Sequence, residues 1–205
     1  MTQPLQFVPP EEAARANFYG LIARLFYAPP DAALISQLVQ AGPMQLEAES
    51  NAEAEALATA WGEMLEACRT AEREALEGEH TELFVGTGKA AVTPYLSHYV
   101  LRHSNDSPLA ALRAQLSAWG IARREDVPEY EDHVSGVCET MRFVIAVQQR
   151  SPEEQQTFFA RFVYRGAVAF CDAVSTSKQA RFYRPVARFA RTFMEVEKSA
   201  FEMGG

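Results

Sequence analysis

Long apolar runs are missing from this 205-residue sequence, and so are paired cysteines, strand-like alternations and an excess of basic charge. No uninterrupted apolar stretch approaches the ~18 residues that a membrane-spanning helix needs, so no spanning segment is expected. The opening MTQPLQFVPPEE lacks an apolar signal core, and no basic residue precedes Arg15, which argues against a secretory leader. The three cysteines, Cys68, Cys138 and Cys171, are odd in number and far apart, and each falls on an apolar helical stripe. They read as buried free thiols in a reducing compartment. A soluble, cytoplasmic protein is expected.

Nineteen Lys and Arg stand against 27 Asp and Glu, a net charge of −8. That balance excludes a sequence-independent nucleic-acid binder, which needs a basic face. A cationic peptide would suit it better, although acidic charge also serves solubility. The four histidines, His80, His98, His103 and His133, form neither His-Glu-x-x-His nor any zinc spacing with the cysteines, so no metal and no cofactor is expected. What remains is an ordinary globular composition, 48% hydrophobic and 22% charged, in a chain long enough to bury one sizeable core.

The periodicity is helical almost throughout. Residues 11–27 put Ala14, Phe18, Leu21, Ile22 and Leu25 on one face before Pro29-Pro30 stops the helix. Asp31 caps a short helix carrying Leu34, Ile35, Leu38 and Val39. A longer one begins near Asn51, with Leu57, Trp61, Met64, Leu65 and Cys68 inward and Gly78 as its expected end. Ser107-Pro108 reads as N-cap and first helical position, and Gly120 as the stop. The polar IARREDVPEYE is a linker or hinge near 121–130. After it come a helix with Val134, Val137, Cys138, Met141, Val144 and Ile145, and a capping box at Ser151-Pro152-Glu153-Glu154 opening another. A last helix carries Tyr183, Val186, Phe189 and Phe193, with Pro185 tolerable in its first turn. Only GKAAVTPYL could pass for an extended piece. The expected fold is all-α, one domain over 1–205 with roughly eight to ten helices, or two helical lobes joined at the hinge.

The stretch EHTELFVGTGKAAVTPYLSHYV, residues 79–100, invites three chemical readings. A phosphate loop fails on spacing: Leu83 stands where the first glycine belongs, and Ala90 follows Lys89 where Ser or Thr is required. Gly86 and Gly88 are better read as turn residues ending the helix that carries Leu83 and Phe84. A Ser-His-Asp relay from Ser97, His98 or His133 and Asp132 lacks any Gly-x-Ser-x-Gly elbow. A recognition surface with exposed rings beside small polar residues is the third reading, with core packing as its competitor.

Glu-His-Thr-Glu-Leu-Phe-Val-Gly followed by Thr-Pro-Tyr-Leu-Ser-His-Tyr resembles the first signature of the TorD/DmsD/NarJ-like chaperones, with His80 where an aromatic is usual. Glu129-Tyr130-Glu131-Asp132-His133 resembles their second, with Tyr130 in place of proline. Arg15, Phe18-Tyr19-Gly20-Leu21 and Pro29-Pro30 resemble the family's opening helix, and Phe182-Tyr183 its closing one. The resemblance implies a chaperone, not an enzyme, that binds the N-terminal region or twin-arginine signal peptide of an apo-molybdoenzyme before export. It implies a groove lined by Leu83, Phe84, Gly86, Pro94, Tyr95 and Ser97. Glu129, Glu131, Asp132 and His133 would stand beside it, the acids facing the peptide's arginines. Weak guanine nucleotide binding and a monomer or swapped dimer are further expectations. The alternative from another class is a helical hydrolase or nucleotide-binding enzyme using Asp132 and His133. For those two, the competing structural role is to cap the helix that follows.

Overall fold

The computed structural model describes residues 8–46, 49–86, 88, 90–100, 107–124 and 126–204. Helices dominate, and among the described residues the one β-type pairing is an isolated antiparallel bridge between Tyr95 and His133. In chain order the helices are α1 (Pro10–Tyr27), α2 (Ala32–Ala41), α3 (Ala52–Arg69), α4 (Arg73–His80) and α5 (Ser97–Val100). There follow α6 (Pro108–Ala118), α7 (Val134–Ala146), α8 (Pro152–Phe158), α9 (Tyr164–Thr176) and α10 (Tyr183–Met203). No described helix is long and apolar enough to cross a membrane.

Local chemistry sets most helix starts. Asp31 accepts the Leu34 N–H at 2.7 Å and Asn51 the Ala54 N–H at 2.8 Å, each satisfying a donor the helix cannot pair itself. Ser107 precedes Pro108 as cap to α6, and Ser151 with Glu154 closes the expected capping box on α8. Pro185 lies within the first turn of α10, where its missing N–H costs no helical bond.

Two expectations need correction. The helix from Asn51 does not run to Gly78. The Thr70 hydroxyl turns back onto the carbonyls of Glu66 and Ala67, ending α3, and Gly78 lies inside α4. Such back-bonding offers the backbone an alternative to the next helical turn. On α1, Ala14 is exposed, and the buried face is Ala16, Tyr19, Ile22, Ala23, Leu25 and Phe26. That face packs on α7, the most extensive helix pairing among the described residues.

The core lies where α1, α7, α9 and α10 meet, with α3 against α10. Val134, Val137, Cys138, Met141, Val144 and Ile145 of α7 are all buried, each large apolar side chain stabilising by about 1.5–3 kcal/mol. All three cysteines are buried and free. A buried carboxylate sits in the same layer. Glu197 of α10 takes two bonds from Arg15, at 2.7 and 2.9 Å, and one from the Tyr19 hydroxyl at 2.9 Å. A charge at that depth persists only when paired and hydrogen-bonded.

Beyond α4 the helix widens into a π-turn at Thr81–Val85. The extra residue in the turn brings the neighbours Leu83 and Phe84 both into the core. Gly86, at φ 66°, ends it with its N–H on the Thr81 carbonyl at 2.7 Å, as expected of a residue free to take left-handed angles.

Candidate functional site

The Pro94–Ser97 part of the 79–100 stretch and the 129–133 stretch, both singled out in the sequence, are brought together side by side. The Leu96 N–H donates to the Asp132 carbonyl and the Val134 N–H to the Pro94 carbonyl, both at 2.8 Å. These bonds flank the Tyr95–His133 bridge. Side chains reinforce the joint: the Tyr95 hydroxyl donates to the Glu129 carboxylate and the Ser97 hydroxyl to that of Asp132. Burial first, and then Glu129, push the Tyr95 phenol up, so it remains a donor.

His133, not Asp132, caps α7. Its Nδ1 accepts the Ser135 N–H at 3.1 Å, which leaves the proton of the neutral ring on Nε2. Burial lowers the imidazole's pKa, against the opposing pull of Glu129 and Asp132. The ring lies edge-on to Tyr95 at 5.5 Å and to Tyr27 at 6.5 Å. Asp132 is 4% exposed, and its Oδ1 has no partner.

A cleft of about 820 Å³ opens on the outer side of this joint, at the upper end of sizes that take ligands. Its walls are the end of α1 with Pro29-Pro30, the linker's 120–124 and 127–131 portions, and one face of α7 from Ser135 to Phe143. Tyr27, Ile121, Val127, Tyr130 and Phe143 supply apolar surface. Tyr27 and Tyr130 are 48% and 56% exposed, and large exposed rings beside a cleft are informative where scattered ones are not.

Of the residues expected at the site, Glu129, Glu131 and His133 line this cleft. Pro94, Tyr95, Ser97 and Asp132 stand behind its wall and hold it through the joint just described. Leu83 and Phe84 are buried, Phe84 among Phe26, Phe170 and Tyr183, and Gly86 ends their turn. None of these three lines the cleft. Thr87, Lys89 and His103 lie outside the described residues. Tyr27, Arg24 and the linker's Ile121 and Val127 were missed; their signal was apolar side chains in an otherwise polar linker and a tyrosine just before Pro29-Pro30.

Nothing here forms a catalytic relay. His133 Nδ1 is occupied as an acceptor, so it cannot donate to Asp132, and Ser97 donates directly to that carboxylate. Glu77 and His80 stand at Glu-x-x-His spacing, yet Glu77 is exposed and bonded to Arg73 while His80 is buried. Among the described residues no group of three or more His, Cys, Asp or Glu could hold a metal ion.

The family model for the nitrate reductase delta subunit matches residues 50–195, a span that contains both the joint and most of the cleft. The chain therefore belongs to that family, the NarJ/TorD-type chaperones. Among solved structures it is similar to a protein of Archaeoglobus fulgidus described as a candidate redox enzyme maturation protein. The two share 19% identity over 95% of this chain and 99% of that one, with a TM-score of 0.56, a likeness of fold. No curated protein matches the chain.

Proposed function

We propose that this protein is a cytoplasmic, client-specific chaperone. It binds the N-terminal region of a molybdoenzyme precursor, a twin-arginine signal peptide where the client carries one, and holds it back until the molybdopterin cofactor is inserted. The observation that carries this reading is the cleft. It is apolar, large enough for several side chains, and bounded by the Glu129–His133 stretch that resembles the family's second signature. An apolar groove with polar groups at its edge suits an extended or helical peptide.

The test is titration calorimetry against peptides and intact apo-enzymes from the molybdoenzymes of the same genome. At least one should bind in the micromolar range, about −8 kcal/mol. Tyr27→Ala with Tyr130→Ala should weaken that binding at least about tenfold, as loss of buried aromatic anchors does, with an unchanged melting temperature. Absence of binding to every peptide and every apo-enzyme would remove the proposal.

A further inference from the structure

Both α1 and α7 line the cleft, and they run in opposite directions along it. At one end the Tyr27 ring lies 6.5 Å from that of His133; at the other, Gly20 lies against the stem of Arg142. Toward that second end the lining stops at Ala23 on α1 and at Arg142 and Phe143 on α7. The axis of α7 from His133 to Arg142 is about 13 Å long, which matches about four residues of extended chain.

Arg142 lies across the seam where the lining stops. A methyl group at Gly20 would stand 2.8 Å from Arg142 Cδ and 3.9 Å from its Cγ, so the stem of the arginine crosses α1 where α1 has no side chain. Its Nε donates to Glu139 at 2.7 Å, and Glu139 itself lines the cleft. The side chain is thus held at two points along its length. Gly20 sits in the middle of α1 and is not among the glycines at positive φ, so its backbone would accept any residue. Glycine in mid-helix costs stability relative to alanine. What Gly20 supplies is the space that the Arg142 stem fills. One turn further along, the two helices carry Ala16 and Ala146, small side chains over which the groove would run on if Arg142 were shorter.

Resting on the reading of the cleft as the client site, we infer that Arg142, seated on Gly20, is the end stop of the cleft and determines how long an apolar client segment it accepts. The probe is the synthetic peptide that binds best in the titration above. It is trimmed to its shortest binding form and remade with one, two or three leucines added at either end. Titrated into the full-length protein, the trimmed peptide should bind the parent and Arg142→Ala within about threefold of each other. Leucines added at the end that meets Arg142 should leave the parent's affinity unchanged. They should raise that of Arg142→Ala about tenfold, the gain from burying one further large apolar side chain. Gly20→Ala displaces the stem without changing any charge. It should give the same gain in the same peptides, with a melting temperature no lower than the parent's, since alanine is the better helix residue. The double variant should gain no more than Arg142→Ala alone, because both changes remove one obstacle. Superimposable length profiles for the parent and Arg142→Ala would overturn the inference and leave the cleft reading standing. A Gly20→Ala profile identical to the parent's would overturn it too. If no peptide of any length binds the parent, the cleft reading itself falls, and the end stop with it.

Discussion

Glu79 joins two distant helices through a single carboxylate. It accepts the backbone N–H groups of Arg181 at 2.8 Å, Phe182 at 3.0 Å and Tyr183 at 2.9 Å, where α10 begins without a side-chain cap of its own. Those donors have no intrahelical partner, and a negative charge there also suits the helix dipole. Glu79→Ala leaves all three unpaired. Loss of an N-cap acceptor costs about 0.5–2 kcal/mol, and hydrogen bonds to a charged group contribute about 1.5–3 kcal/mol. Water reaches the exposed Arg181 end and recovers part of this, so the net loss should be about 2–3 kcal/mol. At this chain length that lowers the melting temperature by about 5–10 °C. Glu79→Gln keeps an acceptor and should lose about half as much. The assay is urea and thermal unfolding by circular dichroism, with client titration alongside. Glu79 does not line the cleft, so affinity should hold at temperatures where the variants are folded. An alanine variant within about 0.5 kcal/mol of the parent would refute the argument; so would a lost affinity with stability intact.

Two further perturbations test the joint behind the cleft. Burial lowers the pKa of His133, and that of His80 in the same direction, so the unfolded chain takes up protons first as pH falls. The stability tied to neutral histidine is full above about pH 6.5 and declines as pH drops through that value toward the folded pKa. His133→Asn keeps an N-cap acceptor and removes one of the two titrations, so its urea midpoint should fall less between about pH 7 and 5 than the parent's; equal falls would refute the assignment. A methyl group at Gly166 would stand 2.8 Å from Leu96 Cβ and 3.1 Å from the Leu96 carbonyl oxygen. Gly166→Ala should therefore lose about 1–3 kcal/mol in urea unfolding and weaken client titration, because Leu96 is bonded to Asp132. Unchanged stability and affinity would show that the contact is slack.

The helices were legible because their signals are local. Asp31, Asn51, Ser107 and Ser151 act within one turn, and apolar stripes such as Val137, Met141 and Val144 need only the helical period. What escaped depends on partners far away in the chain. Glu79 looked like one more acid on an exposed helix, because its partners lie about a hundred residues on. Leu83 and Phe84 are consecutive, which an α-helix would splay to different sides; the π-turn that buries both has no composition signal. The cleft draws on α1, the linker and α7 at once, so Glu129, Glu131 and His133 were visible through a motif while Tyr27 and Arg24 were not. The partners of Glu129 and Glu131, the Tyr95 hydroxyl and Arg113, were hidden for the same reason, since they come from other elements.

The two signature-like stretches thus divide their labour. The described residues named in the first serve as scaffolding: Glu79 caps α10, His80, Leu83 and Phe84 fill the core, and Leu96 lies against Gly166 of α9. From the second, Glu129, Tyr130, Glu131 and His133 line the cleft. Asp132 is where the two meet, giving its carbonyl to Leu96 and its carboxylate to Ser97. Its remaining oxygen is buried without a donor, a costly arrangement for an acid. A neutral side chain there would remove that cost, but it would also loosen the hold of Ser97 on the segment that carries His133. Through its carbonyl and its carboxylate, Asp132 thus ties the 94–97 segment to the stretch that places the His133 ring in the cleft wall.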